Sequence, residues 1–299
     1  MNTTKSLIRR NVKLFFKDKG MFFTALITPM ILLVLYATFL GNVYEDSFRM
    51  GLGGVELSEK LMGACVGGQL ISSILAVSCI TVAFCSNMLM VQDKANGSRR
   101  DLLISPVKAS TLSIAYYVAT LISTLLICLV AMMICLGYLA IVGWYLSVGD
   151  VLWLILDVFL LAMLGTALSS VINFFLSTQG QIAAVGSIVS SCYGFLCGAY
   201  MPISQFGVGL RRVISLLPGT YGTSLLRNHT LRGAFAEMEA QEISPELIEE
   251  MRDAIDCNIY VFDQKVEPSV MLCVLVASIV VFLGAYVLLN VQKMKKIGR

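Results

Sequence analysis

QDKANGSRRDLLISPVKAS, residues 92–110, separates two apolar runs, 64–91 and 111–142. Each run exceeds the about 20 residues needed to cross about 30 Å of hydrocarbon. The stretch therefore reads as a polar connection between two transmembrane helices, carrying four basic residues, two acids, a glycine and a proline. Gly97 permits a turn, Ser98 can cap a short helix carrying Leu102 and Leu103, and Pro106 closes that helix before the next span resumes. A mere connector needs only a few polar residues. Leucines on a charged helix suggest a docking knob.

Outward from this stretch the chain supplies six apolar runs, roughly 20–41, 64–91, 111–142, 151–176, 181–201 and 268–291. Of its 299 residues 57% are apolar and 14% charged, against about 25% charged in soluble domains. These numbers describe an all-α polytopic membrane protein with six transmembrane helices, one membrane domain over 1–299 without internal repeats. The first run follows a basic stretch and lacks a small-residue cleavage pattern, so it stays as a span rather than a signal peptide. The N-terminus, residues 92–110 and the C-terminal tail hold 14 of the 22 Lys/Arg and 3 of the 19 acids. Basic loops stay in the cytoplasm, which places both termini there, in the cytoplasmic membrane of a prokaryote as the simplest host.

Residues 4–19 put Ile8, Val12, Phe15 and Phe16 on one helical face and Arg9, Arg10, Lys13 and Lys17 on another. This predicts an interfacial helix with its basic face toward anionic headgroups, either as a plain anchor or also touching a cytoplasmic partner. Span 1 contains Thr28-Pro29, and a polar outer loop is expected at 42–63. Small-xxx-small pairs, Gly63/Gly67, Gly186/Ser190 and Gly194/Gly198, allow close helix approach, within one protomer or at a subunit interface. Ser177–Gly180 form a tight hairpin. Residues 202–267 form an outer segment: 203–217 is helix-like but too short to cross, so it dips into or lies on the membrane, and Pro218 ends it. Ser244-Pro245-Glu246 starts a further short helix, whose Leu247, Met251 and Ile255 form a stripe.

Residues for chemistry are scarce. Asp157 is the one intramembrane charge, with no His, Lys or Arg recognisable at its depth, so it either bonds within the bundle or serves function. A lone carboxylate cannot run a hydrolase triad. The nine cysteines lie mostly within spans as small packers; Cys65 and Cys257 are near the outer side, where one disulfide is conceivable. The sole histidine, His229, has no ligand cluster, and no metal site is expected. Sites matching glycosylation acceptors at Asn2, Asn96 and Asn228 are chance matches in a prokaryotic chain, and no basic soluble face suits nucleic acid. A phosphate loop of the G-x-x-x-x-G-K-[ST] type is missing. If ATP is used, another chain binds it.

Asp93-xxx-Gly97-Ser98, then Leu102-Leu103, then Ser105-Pro106 entering a long span resembles the type-2 ABC exporter permeases of drug, lipid and polysaccharide export. Gly198, Pro202, Leu216-Leu217-Pro218, Tyr221 and Leu226-Arg227 look like that family's outer re-entrant helices. Gly219-Thr220 and the insertion 233–267 depart from its pattern. The resemblance implies a dimer, homomeric or heteromeric, docked on separate ATPase subunits that hold ATP and Mg. It also implies a coupling helix over 92–108, in which Asp93, Gly97, Arg99, Arg100, Leu102, Leu103, Ser105 and Pro106 engage the ATPase. By the same likeness spans 1, 2 and 5 surround the path, and Tyr200, Met201, Pro202, Pro218 and Tyr221 form an outer gate. Gln69, Ser72, Ser73, Gln181, Ser187 and Tyr193 would line that path, and they suit an amphiphilic drug, antibiotic or lipid-like molecule exported from the cell. The alternatives are a permease for polysaccharide or lipid-linked glycan, a non-transporting assembly factor, and a membrane enzyme.

Overall fold

A computed structural model describes residues 2–52, 55–98, 102, 107–262 and 264–297. Helix α1 (Asn2–Lys17) buries Leu7, Asn11 and Phe15 at helical spacing and exposes Arg9, Lys13 and Lys17. Asp18 breaks the chain there, its carboxylate accepting the Met21 amide at 3.1 Å as N-cap of α2 (Lys19–Leu35). The two helices meet at 75°.

Span 1 does not give way to a loop at 42. A π-helical turn, Tyr36–Leu40, leads directly into α3 (Gly41–Gly51). The cause is the apolar stripe: Tyr36, Tyr44, Phe48 and Leu52 are all buried. One inserted residue makes Tyr36 to Tyr44 about seven helical steps, close to two turns, so the stripe stays on one face.

The rest of the bundle comprises α4 (Glu59–Ser86), α5 (Met88–Ala95), α6 (Ala109–Val142), α7 (Val148–Phe175) and α8 (Gln179–Leu196). Then follow a 3-10 turn at Ile203–Gln205, α9 (Val208–Ile214), α10 (Pro218–Ala240), α11 (Pro245–Ala254), strands β1 (Ile259–Val261) and β2 (Gln264–Val266), and α12 (Pro268–Ile297). Helix α4 is the core, enclosed by α2, α6, α7, α8 and α10. Arg99, Arg100, Leu103, Ser105 and Pro106 lie outside the described residues.

Among the described residues four helices are long and apolar enough to cross a membrane, and the bent α1–α2 pair makes a fifth. The remaining expected span, 181–201, corresponds to α8, which has 18 residues and opens with Gln179-Gly180-Gln181. At 1.5 Å per residue it is about 27 Å long, short of the about 30 Å hydrocarbon layer. Two further expectations change. Pro218 opens a helix of 23 residues rather than merely ending one, because Pro at the first helical position loses no bond. An antiparallel hairpin, Ile259 opposite Val266, adds strands to an otherwise helical chain. Ser244 does cap α11, its Oγ accepting the Leu247 amide at 3.3 Å.

The small-residue pairs separate into two kinds. Gly63 and Gly67 pack against Val142 and Leu139 of α6, where a Cβ on Gly63 would stand 2.6 Å from the Val142 carbonyl oxygen. Gly186 on α8 has nothing within 4 Å. Cys65 and Cys257 are buried free thiols. The tightest approach is Gly233, whose Cβ would overlap the carbonyl of Tyr145. Gly233→Ala should therefore destabilise the protein by about 1–3 kcal/mol, read as a lowered thermal unfolding midpoint in detergent. Gly186→Ala should leave that midpoint within a degree or so or raise it slightly, since Ala favours a helix over Gly.

Candidate functional site

Helix α5 carries the start of the stretch 92–110, and the structure holds it on four sides. Arg10 of α1 donates to both carboxylate oxygens of Asp93, Nη1 to Oδ2 at 2.8 Å and Nη2 to Oδ1 at 3.1 Å. The Tyr116 hydroxyl of α6 donates to Asp93 Oδ2 at 2.6 Å. Forked pairing of this kind fixes geometry as well as charge. The bonds to Asp93 raise the Arg10 guanidinium above its ordinary value. Lys94 Nζ donates to the carbonyls of Asn173, Phe174 and Leu176 at 2.7, 2.8 and 2.9 Å. It thus places a cation on the negative end of α7, where the last carbonyls lack helical partners. From α12, the Tyr286 hydroxyl reaches Met90 Sδ at 3.1 Å.

The break between α4 and α5 is stitched as well. Asn87 Nδ2 donates to Ser169 Oγ and Ser170 Oγ, each at 3.0 Å. Gly97 follows α5 with φ +80°, the left-handed turn its identity predicts. Leu102 is half-buried against the cluster of Leu7, Leu112, Tyr116 and Tyr286. Its side chain therefore packs the stretch after Gly97 onto a cluster drawn from α1, α6 and α12. Arg10, on the basic arc by its spacing, is partly buried and pairs with Asp93. Its neighbours Arg9, Lys13 and Lys17 keep the exposed arc, while Arg10 lies 83 residues from its carboxylate, a separation no local pattern reveals.

Two buried ionic sites lie toward the opposite end. Asp157 on α7 is not without a histidine at its depth: His229 Nδ1 stands 2.5 Å from Asp157 Oδ2, and Trp153 stacks on the imidazole with centroids 5.2 Å apart. The sequence places His229 in the outer segment 202–267, whereas in the structure it sits on α10, which runs inside the bundle: Gly222 packs on Leu161, Gly233 meets Tyr145, and Phe235 and Met238 beyond them are still buried. On the same helix Arg227 is 1% exposed. Its Nη1 donates to Asp256 Oδ2 at 3.2 Å, and Nη2 donates to Ser73 Oγ at 3.3 Å and to the Gly198 carbonyl. Asp256 also accepts the Ile203 amide at 2.8 Å. This pair ties α4, α10 and the segment around 198–203 to the stretch after α11.

The residues assigned to a path divide by location. Gln69, Ser72 and Ser73 are enclosed on α4, and neither end of the Gln69 amide is bonded. Gln181 and Ser187 are exposed on α8, and Tyr193 is half-buried with its hydroxyl against Gly219. Tyr200, Met201, Pro202 and Pro218 are half-buried and Tyr221 buried. Tyr200 packs edge-on against Phe195 at 5.2 Å.

A family model described as ABC-2 type transporter matches residues 2–230, from α1 into α10. The chain belongs to the ABC-2 type transporter family. No curated protein matches it. This ABC-2 protein is thus a multi-pass transmembrane component of an ABC transporter; Arg10, Asp93, Lys94 and Tyr116 of the clamp, the Asp157–His229 pair and Arg227 fall within the matched region, and Tyr286 lies beyond it. Asp256, the acid that answers Arg227, lies beyond it.

Two outcomes follow for the Arg227–Asp256 pair. Arg227→Met strands a buried carboxylate and should cost about 3–5 kcal/mol; adding Asp256→Asn should recover more than half. Burial pushes the Asp256 carboxyl up to about 6, against the pull of Arg227 and the Ile203 amide. Because the folded value lies above the unfolded one, its contribution to stability is full below about pH 4 and is lost as pH rises through about 6. Thermal unfolding should show that slope in the wild type and lose it in Asp256→Asn.

Proposed function

We propose that this ABC-2 protein is the permease subunit of an exporter that moves an amphiphilic molecule, using ATP hydrolysed by a separate subunit. Its termini and the clamp around α5 face the cytoplasm, the side where 14 of the 22 Lys/Arg residues gather. The carrying observation is the Arg10–Asp93–Tyr116 knot, with Lys94 on the end of α7. An eight-residue helix fastened to α1, α6, α7 and α12 transmits displacement instead of absorbing it. A partner ATPase pressing on the turn after Gly97 and on Leu102 would move these elements together, with Asn87 as the pivot below α4.

ATP and Mg belong to that partner. This chain supplies the receiving lever and the path. Gln181 and Ser187, exposed on α8 beside the uncontacted Gly186, offer a surface for a second permease. Gln69, Ser72 and Ser73 are enclosed on α4, and a repacking of α8 against α4 opens this polar strip. Such a shift between two discrete packings is how small displacements become gates. Tyr200 and Tyr221, at the far end of α8 and the buried start of α10, close the exit.

Apolar walls with a few hydroxyls and amides favour an amphiphile over a sugar polymer, since they supply dispersion contact without rows of stacking faces. The test is Leu102→Asp in the purified permease–ATPase complex. Insertion and copurification with the ATPase should persist while ATP-driven substrate accumulation in proteoliposomes falls to background. Transport at the wild-type rate by a correctly inserted Leu102→Asp protein would refute the lever.

A further inference from the structure

At the end of the bundle away from the termini, α9 and the β hairpin enclose a cavity of about 320 Å³. That volume is at the lower end of small-ligand sites, about 300–1,000 Å³. Its walls include Arg211, Arg212, Asp253, Asp256 and Tyr260. The charges in it are not symmetric. Asp256 is taken by Arg227 and by the Ile203 amide. Asp253 accepts from Asn258 Nδ2 at 2.6 Å and from the Tyr260 hydroxyl at 3.0 Å. Arg211 and Arg212 form no ion pair among the described residues, and both are exposed. Arg227 answers the charge of Asp256, while Asp253 accepts from neutral donors and keeps its charge, so among the lining residues two guanidinium groups face one unanswered carboxylate and leave one net positive charge for an anion.

The surroundings say what kind of anion. On α9, Leu210 and Val213 are exposed at 48% and 57%, and Leu216, just beyond its end, at 53%. Across the cavity, Phe262 at the hairpin tip is 72% exposed. In a multi-pass membrane protein such apolar surface beside a basic cavity fits the boundary between headgroups and acyl chains, where amphipathic helices and aromatic residues gather. A guanidinium pair matches a phosphodiester by forked hydrogen bonding.

We propose that this cavity binds the phosphate headgroup of an anionic phospholipid in the leaflet opposite the termini, with Arg211 and Arg212 on the phosphate. The acyl chains lie along Leu210, Val213 and Leu216. The site rests on membrane insertion alone and not on the transported substrate or on the ATPase. Bound lipid braces α9 and the hairpin, and through Asp256 it braces Arg227 of α10 and the turn at Ile203.

The experiment is native mass spectrometry of the full chain released from nanodiscs of phosphatidylcholine with or without phosphatidylglycerol. The wild type should retain one phosphatidylglycerol per protomer in preference to phosphatidylcholine. Arg211→Gln/Arg212→Gln should lower that retention by about tenfold or more, the scale of losing charge-assisted bonds, while Arg211→Lys/Arg212→Lys keeps most of it. Millimolar inorganic phosphate should not displace the lipid. Equal retention by wild type and the glutamine variant would overturn the proposal. So would displacement by free phosphate, which marks a soluble-anion site, or protection of Arg211 that follows protomer concentration rather than lipid. Should the double variant fail to insert, the wild-type lipid preference and phosphate competition, with the single glutamine variants, decide the matter.

Discussion

A carboxylate buried between helices must be paired, and the pairing of Asp93 organises the end of the bundle that bears the termini. Its oxygens accept from Arg10 and Tyr116, joining α1 and α6 through one side chain of α5. The next residue, Lys94, answers the unsatisfied carbonyls at the end of α7. Two adjacent residues of opposite charge thus fasten three helices around a fourth. Helix-forming tendency alone would leave an eight-residue segment marginal in water; these partners make it a rigid part.

The opposite end uses the same principle at greater depth. Arg227 is nearly inaccessible, so its charge is tolerable only because Asp256, Ser73 and the Gly198 carbonyl surround it. Glycine at 198 follows from that crowding: its φ is +71°, and a Cβ would stand 2.9 Å from Ile203 and 3.1 Å from Asp256. The insertion 233–267 is therefore not a loose appendage. It returns a carboxylate to the interior and carries one wall of the basic cavity.

The membrane class, the N-terminal helix, the Ser244 cap and the turn at Gly97 are legible in the sequence because each is set by composition or by neighbours a few residues apart. Helix α3 is not, because a π-turn re-phases the stripe from Tyr36 to Tyr44 and breaks the usual periodicity. Helix α10 is not, because its inward apolar residues Leu225, Leu226, Leu231 and Phe235 are interleaved with equally buried Gly219, Thr220, Thr223, Ser224 and Arg227, which blur the apolar pattern. Asp157 and His229 are 72 residues apart and Arg10 and Asp93 are 83 apart. Those pairs exist only once tertiary packing brings their helices together. Chemistry of single residues is written locally, whereas the partner that gives each charge its role is not.

Reversing the charges of the knot tests the central claim most directly. Arg10→Asp and Asp93→Arg, singly and together, would be assayed for ATP-driven transport by the reconstituted permease–ATPase complex, with membrane insertion checked in each. Each single reversal should reduce transport by about tenfold or more, a scale set by stranding one partner of a largely buried pair, and the double reversal should restore a substantial part. Wild-type transport in the single reversals, or a double reversal as inactive as either one, would contradict the account.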